Sequence, residues 1–167
     1  MKPRLGISAC LIGKAVRYDG EHKMDQVVVA ALEQHFELVP VCPEVDCGMG
    51  VPRESMRLKG NVIAPRLVTI SSHIDRTDQL ERWTKRRIAE MKQEKLAGFV
   101  LKSGSPSCGL SVNVYDDKDV VAGNVSGLFA RRVTAGLSRR LVAEAEQLHD
   151  ESFRTDFIQR LRTFAQK

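Results

Sequence analysis

The chain has 167 residues, 43% of them hydrophobic, and a formal net charge of +5. That length suits one domain, residues 1–167, able to bury a core without disulfide staples. No stretch approaches 18 uninterrupted apolar residues, which argues against a transmembrane helix, and an aromatic fraction of 5% argues against a base-stacking platform for single-stranded nucleic acid.

Leu5–Ala9 is short and apolar and reads as a buried strand. The surrounding start, MKPRLGISACLIGKAVRYDG, is broken by Lys14 and Arg17 and offers no small-residue cleavage site. It is expected to be a core strand and its loop rather than a signal peptide. Apolar residues at Val27, Val28, Ala31, Leu32 and Phe36 predict a helix over 24–36, and Glu37–Val41 is a second buried strand. Residues 43–60, rich in Pro and Gly, are expected to form an irregular loop. Asn61–Ser71 has strand character interrupted by Pro65. Ser72 or Asp75 is expected to cap a long helix running to about Leu96, with Leu80, Trp83, Ile88 and Met91 inward. Phe99–Leu101 is a third apolar strand and Val112–Tyr115 a short further one. Residues 123–127 are expected to lead into a helix ending near Gly136, with 140–144 either helix or strand. Glu151 to Ala165 is a last amphipathic helix, with Phe153, Phe157, Ile158, Leu161 and Phe164 inward.

Strands alternating with helices predict an α/β domain with a largely parallel sheet flanked by helices. In such sheets ligands sit beyond the carboxyl ends of the strands. Cys10, Cys42 and Cys108 each follow one of the three strong strands. The loops can therefore bring them to one edge although 31 and 65 residues intervene.

The expected compartment is the cytoplasm, where thiols stay reduced; four cysteines there suggest metal or catalysis, although a lone buried Cys is also a common small hydrophobe. Thiolates suit zinc or iron–sulfur clusters. The paired spacing of a zinc ribbon is absent, and Cys42 with Cys47 is too widely spaced for a C-x-x-C redox pair. A closed four-cysteine cluster for electron transfer remains open, with Cys47 as its fourth ligand. A cluster with an open iron is the other reading. It is favoured by Glu44 beside Cys42, by Ser105 and Ser107 beside Cys108, and by Ser8, Arg17 and Tyr18 near Cys10, all groups suited to proton transfer and substrate contact. The arginines at 131, 132, 139, 140, 154, 160 and 162 read as solvated helix faces. Their other reading is an RNA-associated accessory, and no stable nucleic-acid partner is expected.

The segments S-A-C-L-I-G and V-R-Y-D-G within 8–20, V-C-P-E-V at 41–45, G-V-P-R-E at 50–54 and K-S-G-S-P-S-C-G at 102–109 resemble the thiouracil desulfidase family. The resemblance covers nearly the whole chain. G-L-F-A-R at 127–131 is also similar to the version fused to a second domain in thiouridine desulfidases acting on transfer RNA. The resemblance implies a 4Fe–4S cluster held by Cys10, Cys42 and Cys108, with its fourth iron open to the sulfur of a thiolated pyrimidine. It implies Glu44 as the acid/base carboxylate and Ser105 as the catalytic serine. The reaction would be non-redox, with water replacing sulfur and hydrosulfide leaving. A small thiobase or thionucleotide, such as thiouracil or 4-thio-UMP, is the expected partner. Ser8, Arg17, Tyr18, Arg53 and Lys102 are candidates for substrate or phosphate contact. Cys47 departs from the family pattern.

Overall fold

The computed structural model describes the chain from Met1 to Lys167 apart from the side chain of Arg140, which leaves that member of the basic group outside the described residues. Strands β1 (Arg4–Ser8), β2 (Glu37–Val41), β5 (Phe99–Leu101) and β8 (Val142–Glu144) form a wholly parallel sheet in the order β2-β1-β5-β8. The three expected strands are all here, but only β1 and β5 are buried; β2, at the sheet edge, is half-buried with Glu37 exposed. A parallel sheet needs both faces covered, and the helices supply this. Helices α1 (Gln26–Glu33) and α5 (Glu151–Ala165) cover the face presenting Leu5, Ile7, Val100 and Ala143. Helices α3 (Thr77–Gln93) and α4 (Leu128–Leu137) cover the face presenting Val41, Phe99, Leu101 and Val142. The glycine at position 6 is required by packing: a Cβ there would stand 2.2 Å from the Phe99 ring.

A second sheet was not anticipated. Its strands, β3 (Met56–Lys59), β4 (Arg66–Thr69), β6 (Val112–Tyr115) and β7 (Val121–Val125), are ordered β4-β3-β6-β7, with only β3 and β6 parallel. Leu58, Leu67 and Val114 from this sheet pack with Leu80 and Leu128 under the first turns of α3 and α4.

Several boundaries differ from expectation. Helix α1 starts at Gln26 because the Asp25 side chain accepts from the Val28 N–H and so caps it. The stretch 43–60 is not one loop: it holds a short helix, α2 (Pro43–Asp46), as well as β3. Residues 61–64 turn rather than extend, since the Asn61 side chain accepts from the amides of Ile63 and Ala64. Asp75 accepts from the Thr77 N–H at the start of α3, and that helix stops at Gln93, before Lys95 adopts a positive φ. Residues 121–125 pair as a strand before α4 begins. Residues 139–141 form a 3-10 turn and 142–144 a strand. Phe164, expected inward, is 45% exposed. Of the basic residues, Arg132 is solvent-exposed on α4 as expected, pairing with Glu81 at 3.0 Å, whereas Arg154 and Arg160 are half-buried, Arg160 lying over the Phe153 and Phe157 rings. No helix among the described residues is long and apolar enough to cross a membrane.

Candidate active site

At the carboxyl edge of the parallel sheet, β1 lies between β2, reached through α1, and β5 on its other side. A cleft is expected where the chain leaves such a pair in opposite directions. One of about 380 Å³ opens there, and it is lined by all ten residues singled out from sequence: Ser8, Cys10, Arg17, Tyr18, Cys42, Glu44, Arg53, Lys102, Ser105 and Cys108.

Each thiol is placed by a strand end. Cys10 sits in the 3-10 turn of residues 9–12 that follows β1, 8% exposed. Cys42 directly follows β2 and opens α2, its amide bonded by the Asp46 side chain that reaches back to it. Its Sγ lies 3.8 Å from the Val16 carbonyl oxygen. Cys108 lies in the loop after β5 and is 6% exposed. Burial pushes the Cys108 thiol well above its ordinary pKa, with the Cys42 and Cys10 sulfurs adding to the rise. Burial likewise pushes Cys42 up to about 11. Cys10 is also raised by burial, against the pull of Lys102 and Arg17. Two buried thiols, Cys10 and Cys108, and the half-buried Cys42 thus line one cleft with raised pKa values, and holding a metal as thiolates means giving up their protons.

Cys47 stands apart. It does not line the cleft. Its thiol donates to the Glu44 carbonyl at 3.3 Å, and its side chain packs against the core of the second sheet. Gln79 on α3 holds its carbonyl at 3.0 Å. Burial raises its pKa to about 11.

Glu44, on α2, is 9% exposed. Its Oε1 accepts from the Ser107 hydroxyl at 2.8 Å. Its Oε2 accepts from Arg53 Nε at 2.7 Å and faces Arg53 Nη2 at 2.6 Å. Arg53 Nη1 donates to the carbonyls of Val16 and Gly50. The guanidinium expected to contact substrate is thus engaged on every nitrogen. Ser105 Oγ accepts from the amides of Ser107 and Cys108, at 3.2 and 3.1 Å. Ser8 Oγ accepts from the Lys102 amide at 2.9 Å, and the Ser8 hydroxyl partly offsets the rise in the Cys108 thiol pKa. The loop 105–109 is held from below by α4, whose first amides donate to the Pro106 and Ser107 carbonyls.

Arg17, Lys23 and Lys102 bring positive charge to the cleft. Arg17 lies 3.8 Å from Asp19, and Lys102 donates to Ser103 and lies 3.6 Å from Glu146. Sequence reading missed one lining cation and one long-range bond. Lys23 gave no motif signal. Ser107 was seen as a neighbour of Cys108, but its bond to Glu44 spans 63 positions and is invisible to local spacing.

Among the described residues no three His, Cys, Asp or Glu side chains close around a single metal ion. Three soft donors facing a cleft, with no fourth closing it, fit a polynuclear iron–sulfur group better than a structural zinc.

Residues 5–145 match the family model described as 2-thiouracil desulfurase. The chain belongs to the 2-thiouracil desulfurase family. A curated relative, the uncharacterized protein YbbK of Bacillus subtilis (strain 168), is 29% identical over 109 residues, 62% of this chain and 71% of that protein. Among solved structures, the [4Fe-4S]-dependent thiouracil desulfidase TudS superposes with a TM-score of 0.65 at 29% identity, over 92% of this chain and 98% of TudS. The desulfurase-family match ends at Ala145, directly after β8. Helix α5 lies outside that matched segment and packs on α1's side of the core.

Proposed function

We propose that this protein is an iron–sulfur-dependent desulfidase that removes sulfur from a thiolated pyrimidine without net redox change, giving the oxo base and hydrosulfide. The observation that carries this reading is the convergence of Cys10, Cys42 and Cys108 on one cleft that also holds Glu44 and Ser105, with Cys47 directed elsewhere. The three thiols would hold a 4Fe–4S cluster. When bound, that cluster supplies a Lewis-acidic iron that polarises the carbon–sulfur bond.

The chain's own groups cover the remaining chemistry. The overall exchange consumes one water: its oxygen becomes the carbonyl oxygen of the base, and its hydrogens end on the departing sulfur. Glu44 is the base that takes the proton from water as its oxygen adds to the ring carbon. Ser105 accepts two amide hydrogens through Oγ, which fixes that oxygen and leaves its hydroxyl hydrogen to donate to the reacting ring. Arg17, Lys23 and Lys102 suit an anionic substituent, which supports a thionucleotide monophosphate alongside the free thiobase.

The test is turnover by anaerobically reconstituted protein. Loss of the near-ultraviolet band of 4-thiouracil or 4-thio-UMP with stoichiometric sulfide release is the expected result. Full cluster occupancy with no turnover on any thiobase or thionucleotide would reject the reading. A lower KM for 4-thio-UMP than for 4-thiouracil is expected if the cationic rim binds phosphate.

A further inference from the structure

We propose that Arg53 and Ser107 are positioning residues that clamp the Glu44 carboxylate, Arg53 occupying Oε2 so that Oε1 is the oxygen left to serve the reaction. The inference rests on the desulfidase reading for its chemistry and on geometry for its residues.

The carboxylate is held on both sides. Arg53 presents two N–H groups to Oε2, at 2.7 and 2.6 Å, from a side chain 9% exposed. A guanidinium is planar and permanently charged, and its fork is suited to fixing a carboxylate plane. Ser107, fully buried, gives its one hydrogen to Oε1 at 2.8 Å. A carboxylate oxygen offers two lone-pair sites. Oε1 therefore keeps one acceptor position after Ser107 is satisfied, whereas Oε2 has both its positions taken by Arg53.

The clamp is itself braced. Arg53 Nη1 donates to Val16 O at 2.9 Å and Gly50 O at 3.0 Å, and the Arg53 amide donates to Tyr18 O at 2.9 Å. Val16 O is also the carbonyl facing the Cys42 sulfur. One side chain thus ties the loop after β1 to the loop after α2, with the carboxylate between them. Ser107 ties the same carboxylate to the loop that carries Cys108. A reacting group held from two loops moves less than one held by its own backbone, and small misplacements of such groups are costly to rate.

The experiment compares Arg53→Gln, Arg53→Lys and Ser107→Ala with wild type, after anaerobic reconstitution and iron quantification. With iron content retained, Arg53→Gln should lower kcat about a hundredfold while KM changes little. Arg53→Lys should recover part of that loss, because an ammonium can reach Oε2 but cannot also bridge to Val16. A second readout needs no turnover: carbodiimide-driven amine labelling of Glu44, followed by peptide mass spectrometry. Labelling should be low in wild type and rise several-fold in Arg53→Gln and Ser107→Ala.

An unchanged kcat in both variants at full iron content overturns the proposal, and so does unchanged labelling. Parallel loss of iron and thermal stability in Ser107→Ala, which removes a single oxygen, assigns these residues a structural role and also overturns it. If Arg53→Gln does not fold, Ser107→Ala and Arg53→Lys decide the question. If wild type is inactive on every thio-substrate while labelling still responds, the desulfidase reading fails and the clamp stands.

Discussion

Ser107 lies so close to Gly127 that a Cβ on the glycine would meet the Ser107 carbonyl oxygen at 2.6 Å. The contact is backbone on backbone, so no side chain can swing aside. Gly127 also donates its amide to Gly109 O at 2.7 Å. The start of α4 and the loop carrying Ser107 and Cys108 are thereby fitted to one another. Gly127→Ala should push that loop outward, at a cost of about 1–3 kcal/mol, the usual range for overpacking. Thermal unfolding of the metal-free protein should show the lower midpoint, and iron uptake on reconstitution should fall with it. Normal iron content and an unchanged midpoint would contradict the contact.

Cys47 is expected to be dispensable for the cluster. Its thiol faces the Glu44 carbonyl and the second sheet. Cys47→Ser should therefore keep wild-type iron content and activity, whereas Cys10→Ser, Cys42→Ser and Cys108→Ser should each lose most of the iron. Iron and sulfide quantification under anaerobic conditions separates the cases. Loss of the cluster in Cys47→Ser alone would favour a closed, four-cysteine site.

Ser105 should show two separable effects. Its Oγ accepts two amide hydrogens in the cysteine loop, so Ser105→Ala leaves two donors without that partner, at about 1–2 kcal/mol. Turnover should fall much further than this loss of stability implies, because the hydroxyl that faces the cleft is also gone. Denaturant titration measures the first effect, and kcat at full iron content the second. Stability and rate falling together would leave Ser105 a purely structural cap.

Acid sensitivity should arise partly far from the cleft. Hydrogen bonds from Arg87, at 2.7 and 3.1 Å, are the main reason the Glu94 carboxyl is held below the usual carboxylate range. A folded pKa below the unfolded one gives stability that is present above the unfolded pKa, about 4.3 for Glu, and lost as pH falls through the folded value. Arg87→Leu should thus be less stable than wild type near pH 7, by about 1 kcal/mol for a partly exposed pair. The gap should narrow as pH drops below about 4.3. A gap independent of pH would mean that Arg87 contributes through packing alone.

The parts of the fold legible in the sequence were those governed by long or continuous apolar runs. Residues 5–8 and 99–101 lie in the middle of a parallel sheet covered on both faces, so each reads as a compact, mostly apolar segment, and the edge strand 37–41, half-buried with Glu37 exposed, still reads through Leu38, Val39 and Val41. Helix α5 was legible for the related reason that its inward positions recur over several turns. Strand β3 was not, and β4 was read only as part of the longer stretch 61–71. Each has four residues and one fully buried side chain facing the helices, Leu58 or Leu67, too few for a period to emerge. Cys10, Cys42, Cys108 and Glu44 could be placed together because strand ends converge at one sheet edge. The bonds from Ser107 and Arg53 could not, because they join loops that only tertiary structure brings into register.

The three thiols come from loops far apart in the chain, and the last of them is seated by amides at residues 128–130. No fragment ending before α4 contains a finished site. With the cluster held as proposed, its site is complete only once the chain is folded through that helix, so cluster insertion is expected to follow folding and to meet a shaped cleft rather than an extended cysteine motif.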